Sequence, residues 1–309
     1  MMRTSLLWLS EQPRVFHFVR RNPLARKFAS RFVAGESVET AVDAARELNR
    51  RKITATLDLL GESITKESEA AQARDTYLQM LDRIAETGVD ANVSLKLTQM
   101  GFDISETACL ANMTAILERA KARGSFVRLD MESSAYTQRT LDFFFQRLYP
   151  AYGPHVGVVI QSCLRRSAAD VERLIQERVR VRLCKGAYLE PADVAFPDKA
   201  DVDRTYVELM EQLLLRGNYP GLATHDATIL AHARRFSLER GIDPARFEFQ
   251  MLYGVRRDLQ DQLRAAGFNV RVYVPFGTQW YPYLMRRLAE RPANIAFILG
   301  NVVREAVHR

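Results

Sequence analysis

The sequence predicts an α/β protein built as a distorted (β/α)8 barrel with an N-terminal helical arm. Three observations carry that expectation. Eight short apolar or β-branched runs follow one another at intervals of about 20 to 40 residues. Most of the intervals hold an amphipathic helical pattern. The chain that remains after the arm has about 250 residues, the usual size of such a barrel. With 309 residues, 47% of them hydrophobic and 26% charged, the composition suits a globular protein and excludes a disordered, collagen-like or disulfide-scaffold one.

The arm, residues 1–50, comes first. Between Glu11 and Glu36 it carries Arg14, Arg20, Arg21, Arg26, Lys27 and Arg31 with no acid, so most of the formal charge of +7 gathers there. Val15, Phe16, Phe18, Phe28, Phe32 and Val33 interleave with these cations. Two readings stay open: a helix packed on the body with a solvated basic face, or an amphipathic helix that touches anionic lipid. No nucleic-acid motif accompanies the charge. Val38–Arg51 reads as a helix, with Ala41, Val42, Ala45 and Leu48 at helical spacing.

The barrel then occupies 51–309. Its strands are expected at Ile53–Leu60, Asn92–Gln99, Phe126–Asp130, Val156–Gln161, Val179–Cys184, Gly221–His225, Phe247–Leu252 and Val270–Val274. The helical patterns between them are clearest at Tyr77–Leu78–Leu81–Ile84–Ala85, Met113–Ile116–Leu117–Ala120 and Tyr206–Leu209–Met210–Leu213–Leu214. After the last strand, Gly277-Thr-Gln-Trp-Tyr-Pro-Tyr leads into a final helix. There Pro282 would take the first position and Arg286, Arg287 and Glu290 would follow. Two arginines early in a helix oppose its positive end, which is poor for stability but suits the grip of a carboxylate or phosphate. A solvent-exposed Arg-Arg-x-x-Glu ladder is the competing reading.

An open doubly wound sheet would also alternate strands and helices, but it calls for a glycine-rich first turn. None of the fifteen glycines forms a GxG pair. Serine-hydrolase elbows, H-E-x-x-H helices and Cys/His clusters are missing, so no metal site is expected. The three cysteines, Cys109, Cys163 and Cys184, offer no disulfide framework, and the latter two read as buried packing residues in apolar strands. No apolar run reaches eighteen residues, and Leu6–Leu7–Trp8–Leu9 is too short for a signal-peptide core. A soluble, unexported cytoplasmic protein is expected.

In a barrel the active site lies at the C-terminal ends of the strands. The polar residues there are Glu62, Lys96, Asp130, Gln161, Arg182 with Lys185, Thr224 with His225 and Asp226, Gln250 with Tyr253, and Tyr273. Charges facing inward from every other strand are costly unless they meet a ligand or each other.

The strand-end strings are specific. Leu57-Asp-Leu-Leu-Gly-Glu62, Ser94-Leu-Lys-Leu-Thr-Gln, Arg128-Leu-Asp-Met-Glu-Ser, Val159-Ile-Gln161, Arg182-Leu-Cys-Lys-Gly-Ala-Tyr188, Ala223-Thr-His-Asp226, Phe247-Glu-Phe-Gln-Met-Leu-Tyr-Gly254 and Tyr273-Val-Pro-Phe-Gly, in that order, resemble the proline dehydrogenase family. Trp280-Tyr-Pro-Tyr-Leu-Met-Arg-Arg-Leu-Ala-Glu290 resembles its signature helix. The likeness runs from about residue 50 to the C-terminus and fits the short bacterial single-function form. Cys163, where a tyrosine is frequent, and Cys184, where valine or isoleucine is usual, depart from the pattern.

The resemblance implies oxidation of L-proline to 1-pyrroline-5-carboxylate by hydride transfer to non-covalent FAD, with electrons passed to a quinone, as the first step of proline catabolism. It further implies that Lys96, Arg286 and Arg287, with Glu290 directing them, hold the substrate carboxylate, and that Tyr273 packs on the ring. Asp130 would organise the cationic cluster or the substrate amine, and Arg182 would donate to the flavin. Met131, Gln161, Lys185, Gly186, Ala187, Thr224 and His225 would hold the flavin and its phosphates. The basic arm would make a peripheral contact with the inner face of the membrane that holds the quinone. Two rivals remain: a lyase or aldolase using Lys96 or Lys185 as a Schiff base, and a catalytically silent sensor or scaffold that keeps the barrel.

Overall fold

The computed structural model describes residues 29–290, and for 286–290 the backbone alone. The arm up to residue 28 and the side chains of Arg286, Arg287 and Glu290 therefore lie outside the described residues. Eight parallel strands close into a barrel in sequence order: β1 Thr54–Leu59, β2 Ala91–Leu95, β3 Val127–Leu129, β4 Val156–Gln161, β5 Val181–Cys184, β6 Gly221–Ala223, β7 Glu248–Leu252 and β8 Asn269–Phe276. Closure is made by β1 and β8, paired from Thr54↔Arg271 to Leu59↔Phe276. The expected (β/α)8 architecture is observed.

The helices are α1 Val38–Arg50, α2 Glu67–Thr87, α3 Glu106–Ala122, α4 Ser134–Phe143, α5 Tyr149–Tyr152, α6 Ser167–Gln176, α7 Lys199–Arg216, α8 Ala227–Glu239, α9 Arg257–Ala265 and α10 Trp280–Glu290. Helix α1 starts at a capping box between Ser37 and Thr40, and it buries Val38, Ala41, Val42, Ala45 and Leu48 in the same core as the strands. Outward-facing strand residues such as Leu57, Val93, Val127 and Val158 are fully buried under the helices. The barrel interior, in contrast, is largely polar. Side chains from strands that are not neighbours bond each other there, which only inward-facing groups can do.

Several boundaries differ from the sequence pattern. The second run stops at Leu95, whose carbonyl takes its last ladder bond from Asp130. The chain then turns through a 3₁₀ segment, Thr98–Met100, capped by Gly101. Strand β6 stops at Ala223, because Asp226 already caps α8 by accepting from the N–H groups of Thr228 and Ile229.

Helix α10 begins at Trp280, so Pro282 is its third residue and not its first. The start is moved back by Trp280, which is buried and donates through Nε1 to Glu36 at 3.3 Å. The N–H that proline lacks has no intrahelical partner anywhere in a first turn, so the third position costs no more than the first. Arg286 and Arg287 are consequently the seventh and eighth helical residues. Their backbone positions fall after the first turn, to which the helix dipole is confined.

The end of the arm is part of the body. Ala29 and Val33 pack with Leu60, Trp280, Tyr281, Tyr283, Leu284 and Met285. Ala34 N–H donates to Pro275 O, and Gly277 N–H donates to Gly35 O, both at 2.9 Å. This segment and α10 thereby sit together at the C-terminal end of β8.

Candidate active site

The ends of β2, β3, β5 and β8 bring four of the expected residues into one cluster. Asp130 follows β3, and its Oδ1 accepts from Ser94 Oγ and from Arg182 Nη1, each at 2.7 Å. Its Oδ2 accepts from Tyr273 Oη at 2.8 Å. The Arg182 guanidinium stands 5.3 Å from the centre of the Tyr273 ring, a cation–π contact that fixes the two against each other. Burial, then the charges of Asp130 and Asp58, push the Tyr273 hydroxyl well above its ordinary range, so it remains a donor.

The cluster continues down the barrel. Arg182 Nε donates to Gln250 Oε1, and Gln250 Nε2 donates to Glu248 Oε1 at 2.5 Å. Glu248 is paired with Arg271 at 2.8 and 3.0 Å, and Arg271 Nη1 donates to Ala55 O at 2.7 Å. Arg182 is thus held by bonds above and below. Neither Arg182 nor Tyr273 is the last residue of its strand: the inward position, and not the strand terminus, places them.

Lys96 joins the cluster through a residue that reading strand-end positions missed. Its Nζ lies 4.0 Å from Oδ1 of Asp58, an inward-facing residue near the end of β1. Asp58 is fully buried, and neither carboxylate oxygen has a hydrogen-bond partner among the described residues. Burial pushes its pKa up to about 7, with Lys96 opposing and Asp130 adding to the rise. For Lys96, burial would lower the pKa, but Asp58, Asp130 and Glu62 outweigh it and the ammonium is held. A Schiff-base lysine needs a neutral amine, so Lys96 is a poor one. The signal for Asp58 was available: an acid amid the apolar run of the first strand is costly unless the barrel interior gives it a function.

The remaining expected residues lie along β3 to β6. Met131 is buried just past β3. Gln161, the last residue of β4, donates through Nε2 to Glu132 O at 2.7 Å, while its buried Oε1 has no partner among the described residues. Gly186 adopts φ +106°, and a Cβ there would meet Cys163 Sγ at 2.4 Å and Gln161 Oε1 at 2.9 Å, so only glycine fits. Ala187 follows it, half-buried. Lys185 Nζ is ion-paired with Asp203 at 2.6 Å and Asp226 at 2.9 Å, which is no setting for a nucleophilic amine. Although burial raises both aspartates, these contacts hold their carboxyls below the usual range. Thr224 Oγ1 accepts from Asp226 N–H at 3.1 Å. His225 Nε2 accepts from Leu252 N–H at 2.9 Å, so this imidazole ties β6 to β7.

Cys184 lies in a strand and packs against the core as expected, whereas Cys163 does not lie in a strand. Cys163 lies in the turn after β4, Cys184 ends β5, and both are half-buried. Both strands close at the barrel mouth here, and the turn lifts Cys163 over Gly186. Burial pushes the Cys163 thiol up to about 11.

A family model described as proline dehydrogenase matches residues 41–299, taking in every strand of the barrel. The chain belongs to the proline dehydrogenase family. It is 43% identical over 305 residues to a proline dehydrogenase of Deinococcus radiodurans, with 98% of each chain covered. It is 41% identical over 300 residues to proline dehydrogenase 1 of Bacillus subtilis, covering 94% of this chain and 99% of that one. Among solved structures, proline utilization A from Bdellovibrio bacteriovorus, inactivated by N-propargylglycine, superposes with a TM-score of 0.81 at 26% identity. That match covers 90% of this chain and 34% of the other. As a proline dehydrogenase family enzyme, the protein is an oxidoreductase of proline catabolism. No described helix is long and apolar enough to cross a membrane.

Proposed function

We propose that the protein oxidises L-proline to 1-pyrroline-5-carboxylate with non-covalently bound FAD as hydride acceptor, and delivers the electrons to a quinone. The observation that carries this reading is the Asp130–Arg182–Tyr273 cluster lying beside a cradle formed by Gln161 and Gly186. The orphaned, buried Gln161 Oε1 and the side-chain-free, left-handed Gly186 fit the polar edge of a flavin. Bound there, the flavin supplies the two-electron acceptor that no side chain provides. Gln161, Lys185, Gly186, Ala187, Thr224, His225 and Met131 would hold it.

The chain's own residues do the rest. Lys96, kept protonated by the carboxylates around it, is the countercharge for the substrate carboxylate, with Arg286 and Arg287 completing the clamp and Glu290 directing it. Tyr273 offers the face against which the pyrrolidine ring packs and excludes water. Asp130 fixes both the Tyr273 hydroxyl and the Arg182 guanidinium, so neither must reorganise when substrate arrives. Arg182 Nη2, which has no hydrogen bond to a described residue, is the donor assigned to the flavin. The basic arm is assigned to the membrane surface that holds the quinone.

Anaerobic addition of L-proline to the purified yellow protein is the test. Flavin absorbance should bleach with proline, and acid precipitation should release the colour into solution. A flavin-loaded protein that does not bleach overturns the reaction; colour retained in the pellet overturns non-covalent binding.

A further inference from the structure

The opposite end of the barrel holds a second polar site. An open pocket of about 470 Å³ lies where the chain enters β5, β6 and β7, lined by the exposed Arg178, Arg216, Asn218 and Arg246 and the half-buried Gly217 and Tyr219. Its volume falls within the range of roughly 300–1,000 Å³ occupied by small-molecule sites. The lining is cationic. Arg216 is neutralised by Glu172, which accepts from both terminal nitrogens at 3.1 and 2.6 Å. Arg178 and Arg246 have no carboxylate within ion-pair distance among the described residues, although they come from different loops that converge here. Asn218 Nδ2 donates to Arg178 O at 2.6 Å and locks two of those loops together.

The ground beneath the cavity is cationic as well. Arg180 stacks its guanidinium on the Tyr219 ring at 4.8 Å, and its buried Nε has no hydrogen-bond partner among the described residues. Arg128, fully buried, likewise has no partner for its Nε among the described residues, and Arg271 lies alongside. Against these three guanidiniums the interior sets Glu248, which also accepts from Tyr219 Oη at 3.3 Å, while Asp90 acts on Arg271. Buried positive charge without matching negative charge is costly, and an anion drawn into the cavity offsets that cost.

We propose that this cavity binds a phosphate-class oxyanion of pyrophosphate size, held by Arg178, Arg246 and the Asn218 amide against Tyr219. Guanidinium forks suit the paired oxygens of a phosphate better than a monovalent ion. The site lies at the other end of the barrel from Asp130 and Arg182, with Gln250, Glu248 and Tyr219 bonded in series between Arg182 and the pocket, and it does not depend on the reaction assigned above.

Isothermal titration of the flavin-loaded protein with sodium pyrophosphate, at constant ionic strength, tests it. One saturable site is expected, unaffected by saturating proline and at least tenfold weaker in R178Q/R246Q. The single variant R246Q, which leaves the left-handed Arg178 backbone alone, should weaken binding at least threefold and guards against misfolding of the double variant. ADP binding tighter than pyrophosphate would assign the phosphate to a nucleotide; equal or weaker binding would assign it to the free inorganic anion. No saturable binding, equal affinity in both variants, or succinate binding as tightly as pyrophosphate would each overturn the proposal.

Discussion

Asp58→Asn isolates the least compensated charge in the candidate site. The carboxyl is fully buried, and its pKa is raised from an ordinary 3.8 to about 7, burial outweighing the opposing Lys96 and Tyr273. A carboxyl whose pKa is higher in the fold than in the unfolded chain favours folding in its protonated form. Its contribution is therefore complete below pH 3.8 and is lost as pH rises to about 7. Asparagine mimics the protonated group at every pH. At pH 5 the wild type has lost roughly one pKa unit of that contribution and at pH 8.5 about three, so the stability gap in favour of the variant widens by about 3 kcal/mol. For a chain of this size that corresponds to roughly 4 °C in Tm. Thermal denaturation of flavin-loaded wild type and D58N, followed by circular dichroism at the two pH values, measures it. A gap that stays constant with pH, or a variant less stable than wild type at pH 8.5, would refute the reasoning: Asp58 would then be a carboxylate stabilised by Lys96.

Three further outcomes are expected. Gly186→Ala should lower flavin occupancy about tenfold, since the strained backbone and the contact with Cys163 and Gln161 must distort the cradle; a wild-type ratio of flavin to protein absorbance would remove Gly186 from the cofactor site. Arg286→Met or Arg287→Met should raise KM for proline at least tenfold with flavin still bound, from the loss of a charge-assisted contact worth roughly 1.5–3 kcal/mol. An unchanged KM returns these residues to a surface ladder. Deletion of residues 1–28, which spares the Ala29 and Val33 packing, should abolish salt-sensitive sedimentation with anionic vesicles and leave dye-linked turnover intact. Each cation near the surface contributes on the order of 1 kcal/mol, and equal sedimentation of truncated and full-length protein would dismiss the membrane contact.

The sequence by itself determined the barrel and most of the candidate site. Eight apolar runs with amphipathic helices between them admit few topologies, because parallel strands must be joined by crossovers and closure leaves no edge to protect. Lys96, Asp130, Arg182 and Tyr273 stood out for an equally local reason: a charged or hydroxylated side chain in an apolar run has a visible cost. Three things could be decided only in the tertiary structure. One is which of these residues meet, since Asp130 and Tyr273 are 143 positions apart and bond only across the closed barrel. The second is Asp58, whose raised pKa comes from complete burial, with Lys96 opposing the rise and Asp130 adding to it from elsewhere in the chain. The third is the cationic cavity at the far end, assembled from three loops of which none is unusual alone. Local pattern fixes periodicity and composition, whereas desolvation and pairing are sums over neighbours that the chain brings together only by folding.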